Sequence, residues 1–65
     1  MLYTERAALI MQQLQLQSTV KVGELSQLLQ VSVDTVRRDL KAMEQQGLIK
    51  YVHGGACLPE SLSPL

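Results

Sequence analysis

The chain has 65 residues, with six Lys/Arg balancing six Asp/Glu, 46% hydrophobic residues, no Phe, no Trp and one cysteine. A chain this short makes one small domain that buries roughly 60% of its unfolded surface, so its core is thin and aliphatic and a deep catalytic cleft has no room. Lone Cys57 excludes an intramolecular disulfide, no metal-type spacing surrounds it, and the longest apolar run, residues 7–11, is far too short to span a membrane.

Residues 4–17 read as a first helix, with Thr4 placed to cap it, Glu5 in its first turn and no Gly or Pro inside. Ala7, Ile10, Met11 and Leu14 follow the spacing of one buried face, while Gln12, Gln13, Gln15 and Gln17 face water. Val20, Lys21 and Val22 alternate like a very short strand, which Gly23 is expected to break. A second helix over residues 24–30 is expected to bury Leu25, Leu28 and Leu29. The turn after it should put Gln30 in the left-handed region, and Ser26 supplies the small residue needed where two helices cross. Ser32 caps a third helix that has Asp34 in its first turn, buries Val36, Leu40 and Met43, and stops at Gly47. Residues 48–53 look like a strand, Gly54 and Gly55 suit a hairpin turn, and residues 56–58 return as a second strand. The order predicts a mostly α fold with a small β-hairpin. It is a winged helix-turn-helix, three helices plus a wing, over residues 1–57. The helix-turn-helix occupies residues 20–39, with Val20 at one end and Asp39 at the other. Residues 58–65, with two prolines and two serines, read as a linker or tail.

Charge is unevenly spread: Arg37, Arg38, Lys41 and Lys50, four of the six cations, lie between residues 37 and 50. At about 100° per residue, Asp34, Arg37, Arg38 and Lys41 share one side of the third helix, opposite Val36, Leu40 and Met43. Such cations are ordinarily only a solvated face, and Arg38 could pair with Asp34 one turn away. The preceding short helix and turn favour a different use. A helix fits the major groove, where an arginine can bond a guanine's O6 and N7 together. Ser32 and Thr35, with the helix's first amides, suit a phosphate. Arg37 and Arg38 stand about 100° apart. One is therefore expected to read a base edge and the other to grip a phosphate, with Arg38 favoured for the base and Lys41 and Lys50 on the backbone. His53, the single histidine, has no nucleophile or acid at catalytic spacing and belongs at the base of the wing. Gly54 and Gly55 lack a phosphate-loop pattern. Cys57 reads as a small apolar strand residue, and Met11 and Met43 as core.

The stretch VKVGELSQLLQVSVDTVRRDLKAMEQQGLIKYVHGGA resembles the N-terminal DNA-binding domain of DeoR-type transcriptional regulators. The resemblance rests on residues 20–25, on V-S-x-x-T-V-R-R-D-L at 31–40, on Met43-Glu44 and Gly47-Leu48, and on H-G-G-A at 53–56. Glu5-Arg6 with Ile10 and Leu14 fits the family's first helix. The sequence departs from the pattern at Gln30, usually Gly or Asn, at Ser26, usually Ala, and at Tyr51, often Arg. Tyr51 keeps one hydroxyl for a phosphate but not the charge. The resemblance implies sequence-specific duplex DNA binding at an operator, in a repressor of carbohydrate metabolism. The expected contact set is Lys21, Ser32, Asp34, Thr35, Arg37, Arg38, Lys41, Lys50, Tyr51, His53, Gly54 and Gly55. It also implies a separate C-terminal domain that binds a phosphorylated sugar or related metabolite and mediates oligomerisation. This domain is thus expected to hold no cofactor or metal, to catalyse nothing and to be monomeric alone, within a cytoplasmic homo-oligomer that touches no membrane. The alternative is a winged-helix module that binds another protein, which the zero net charge and the loss of Arg at position 51 favour.

Overall fold

A computed structural model describes residues 2–59. The elements are α1 (Tyr3–Gln17), β1 (Thr19–Lys21), α2 (Val22–Leu29), α3 (Val33–Gln45), β2 (Lys50–Val52) and β3 (Gly55–Cys57). The expected winged helix-turn-helix is present, and its hairpin is extended by β1 into a three-stranded antiparallel sheet.

Helix α1 starts earlier than expected: Leu2, not Thr4, occupies the capping position. Leu2 has no side-chain acceptor, but the Glu5 carboxylate three residues on accepts its amide at 3.0 Å, as an acid there commonly does. The helix closes on Ser18, whose φ is 69° and whose amide donates to Leu14 at 2.7 Å.

Gly23 does not break the chain. β1 ends at Lys21, and Val22 is already helical, with Gly23 second in α2. First-turn amides have no partner within the helix in any case, so glycine there interrupts little. The buried stripe is Val22, Leu25 and Leu29, and Leu28, expected in the core, is 55% exposed at its edge.

Gln30 takes the left-handed conformation expected of it, with φ 57° and ψ 45°. The turn is held by Ser26. Its carbonyl accepts the amides of Gln30 and Val31, and its Oγ donates to the Val31 carbonyl at 2.7 Å. Ser32 then caps α3 as expected, its Oγ accepting the Thr35 amide at 3.1 Å. At the other end Gly47 has φ 79°, and two reciprocal bonds close the helix. The Gly47 amide reaches Glu44 at 2.9 Å and the Leu48 amide reaches Met43 at 3.0 Å, the usual glycine-stopped ending.

The strand expected over 48–53 is shorter, because Leu48 belongs to the helix stop and Ile49 packs into the core. The hairpin is also displaced by one residue. Val52 pairs with Gly55, so His53 and Gly54 make the turn, with Gly54 at φ 76°. Gly55 lies in β3, where a Cβ would stand 2.1 Å from the Val20 carbonyl oxygen. Only glycine lets β1 pass that close.

Ile10, Leu14, Leu25, Val36, Leu40 and Met43 are fully buried, joined by Val20, Val22, Leu29, Ile49 and Ala56. Burial of about 1.5–3 kcal/mol per large aliphatic side chain makes this cluster the main source of stability. Met11 is half-buried against it. Leu58, at the expected start of the linker, still packs on the core, and its amide reaches the Ser18 carbonyl at 3.4 Å. The remainder of that expected tail, 60–65, lies outside the described residues.

Candidate nucleic-acid interface

The site is built on α3. Its cap at Ser32 and its stop at Gly47 fix its length, and Val36, Leu40 and Met43 fix its rotation by entering the core. Asp34, Arg37, Arg38 and Lys41 are consequently exposed together on the outer side. Arg37 approaches Asp34 at 3.6 Å, with the two side chains 55% and 85% exposed. The helical pair therefore forms at a spacing of three, not between Asp34 and Arg38 at a spacing of four. Both spacings lie within reach on a helix, and water leaves such an exposed pair worth under about 1 kcal/mol.

The wing flanks this helix. Arg37 and residues 51–54 line an open groove between α3 and the hairpin. Lys50, Val52, His53 and Gly54 are exposed around it, and Tyr51 is half-buried against the core. The Tyr51 amide donates to the Glu44 carboxylate at 2.8 Å, so the end of α3 holds the first wing strand. Lys21 is exposed where β1 runs into α2. Ser32 and Thr35 share a hydroxyl–hydroxyl bond of 3.0 Å at the start of α3. Of the twelve expected contact residues, Gly55 alone is fully enclosed. Its missing side chain serves the approach of β1, not an outside ligand.

Asp39 is the residue whose importance the sequence pattern hid. It is 4% exposed and accepts hydrogen bonds from Arg6 of α1, from Nε to Oδ2 and from the terminal nitrogen to Oδ1 at 3.1 Å. Its hydrogen bond raises the Arg6 pKa above the ordinary arginine value, against the opposing effect of desolvation. The signal lay in the helical phase: Asp39 is three residues after Val36 and four before Met43, on the buried stripe. The partner is 33 residues away, beyond the range of any local pattern.

Among the described residues, no group of three or more His, Cys, Asp or Glu could hold a metal ion, and no helix is long and apolar enough to cross a membrane. Three packed helices, the second and third joined by a tight turn, with a cationic third helix beside a hairpin, define a winged helix-turn-helix of the DNA-binding class. The chain belongs to the DeoR-like helix-turn-helix family, whose model matches residues 6–62. It is 47% identical over 57 residues to the HTH-type transcriptional regulator GolR of Listeria innocua serovar 6a, covering 88% of this chain and 22% of that protein. It is 41% identical over 61 residues to a putative aga operon transcriptional repressor of Escherichia coli O157:H7, covering 94% of this chain and 23% of that one. It is likewise 41% identical over 56 residues to the lactose phosphotransferase system repressor of Lactococcus lactis subsp. lactis, covering 86% and 22%. The chain thus spans less than a quarter of the length of these curated relatives. No solved structure matches it significantly. A DNA-binding domain of transcriptional regulation accounts for the family and the fold together.

Proposed function

We propose that the chain is the operator-binding part of a longer cytoplasmic repressor of carbohydrate genes. The observation that carries the DNA face is the exposed row Arg37, Arg38 and Lys41 on α3, set beside the exposed wing. Arg38 reads a base edge in the major groove. Arg37, on the wing side of the helix, grips a phosphate passing through the groove between α3 and residues 51–54. Lys41, Lys50 and Lys21 contact backbone, Tyr51 and His53 support the wing's contact, and the exposed Gly54 turn lets backbone approach backbone. Ser32 and Thr35 lie at the amino end of α3, where anions are favoured. We assign catalysis to none of these residues.

The names of the aga operon and lactose phosphotransferase relatives support a role in sugar metabolism. A phosphorylated sugar or similar metabolite would bind the region that those relatives possess beyond the matched quarter. That region would also pair the domains, since specific duplex binding usually uses two half-sites.

The test is a chemical-shift titration of the chain with duplex DNA over a salt series. Shifts should concentrate at residues 34–41 and 50–54, and log affinity should fall with log salt by about 0.9 per phosphate contacted. Salt-independent binding, or shifts centred on exposed Leu2, Leu16 and Leu28 instead, would replace DNA with a protein partner.

A further inference from the structure

The outer side of α3 carries Asp34 among its cations, while Glu44, two turns and more further on, is tied to the wing by the Tyr51 amide. Taking Asp34 as the reference, Arg37 lies about 60° to one side and Arg38 about 40° to the other, with Lys41 about 20° off the same line. Asp34 therefore sits in the middle of the face, one turn nearer the helix's amino end. Recognition helices meet base edges with their amino-terminal residues. Asp34 is 85% exposed, and its ion pair with Arg37 is open to water at 3.6 Å. That pair is easily exchanged for another when Arg37 turns to a phosphate.

A carboxylate in this position repels phosphates and the acceptor atoms N7, O6 and O4. The major groove offers it only the amino groups of cytosine and adenine, and a carboxylate, which accepts but cannot donate to adenine's neighbouring N7, suits cytosine. We propose that Asp34 is a specificity-determining residue, accepting a hydrogen bond from the N4 amino group of a cytosine next to the base pair addressed by Arg38. This rests on the DNA-binding reading above and assigns it a base. Asp34 and Arg38 are four residues, about 6 Å, apart along the helix, which places them on separate base pairs. The same carboxylate lowers affinity for every sequence that lacks the amino group, so it discriminates chiefly by exclusion.

The experiment selects duplexes from a randomised pool on the immobilised chain. Wild type, Asp34→Ala and Asp34→Asn are then titrated against the selected duplex and its single-base variants. Asp34 is exposed, so both variants keep the fold. Wild type should prefer cytosine at one position by roughly 5- to 100-fold. Asp34→Ala should erase that preference while binding scrambled duplex more tightly, because a repulsive charge is gone. Asp34→Asn should move the preference to adenine, whose N6 and N7 match a carboxamide. A residue that only favours the helix's amino end would change all affinities alike and move no base preference. If wild type selects a motif and neither variant alters it at any position, Asp34 reads nothing and the inference falls alone. If wild type enriches no duplex, the DNA-binding reading fails and takes this one with it.

Discussion

Two carboxylates of helix α3 stand on opposite sides of it, Asp39 within and Asp34 without, while the third, Glu44, is tied to the wing. On the inner side Asp39, 4% exposed, takes hydrogen bonds from Arg6 in α1, 33 residues away. On the outer side Asp34 stands 3.6 Å from Arg37, three residues on, and both are open to water. The chemistry is the same and the consequences differ. Removing Arg6 would leave the Asp39 carboxylate, itself buried, without its partner in a poor solvent, so the inner pair favours one orientation of α3 against α1. An exposed pair is screened and costs little to open, so the outer groups remain available to a ligand. One helix thereby separates the residues that aim it from the residues that read.

That separation can be broken at its strongest point first. Leu40→Ala removes a fully buried side chain and should cost about 2–5 kcal/mol, against a total of about 3–10 kcal/mol for a domain of this size. Urea unfolding should show a large loss, and DNA binding should disappear only to the extent that the fold does. Asp39→Asn keeps the shape and removes the charge facing Arg6. We expect a smaller fall in the urea midpoint, with the base preference of the surviving folded protein unchanged. An unaltered midpoint would mean that the inner pair holds nothing.

Changes on the outer side should do the reverse. Arg38→Ala should cost about 1–3 kcal/mol of operator binding and relax one base pair, while stability stays within about 0.5 kcal/mol. Equal losses on operator and scrambled duplex would make Arg38 a phosphate contact. The smallest effect should come from the turn before α3. Gln30 has φ 57°, so Gln30→Gly relieves a left-handed strain and should stabilise by up to about 1 kcal/mol in the same urea measurement. Destabilisation would show that the glutamine side chain supports the turn.

The features legible in the sequence were those fixed within one or two turns of chain. Ser32, Gly47 and the Val36–Leu40–Met43 stripe each act through neighbours three to five residues away, and all three appear as read. The left-handed Gln30 was legible for the same reason. What escaped depends on distant partners or on phase. Leu28 turns outward because Val22, Leu25 and Leu29 form the buried stripe of α2 and Leu28 stands about 100° from Leu29 at its edge. Gly55 is required by β1, which no local turn rule contains. Asp39 looks like one more surface charge until Arg6 is beside it. The cationic face of α3 could be located from spacing alone, but its relation to the wing could not. The groove shared by Arg37 and residues 51–54 exists only because Glu44 and the sheet hold the hairpin there.

The strand order β1-β3-β2 has a mechanical consequence. β3 is the middle strand, bonded along both edges, and the chain continues from it through Leu58 and Pro59. A pull applied beyond Pro59 loads two hydrogen-bonded ladders at once and in shear, whereas an outer strand would peel open one bond at a time. β1 runs directly into α2, and the Val22 amide is bonded to the Gly54 carbonyl at the wing turn. Force entering along β3 is therefore shared between the wing and the helix-turn-helix through the two ladders and the Val22–Gly54 bond.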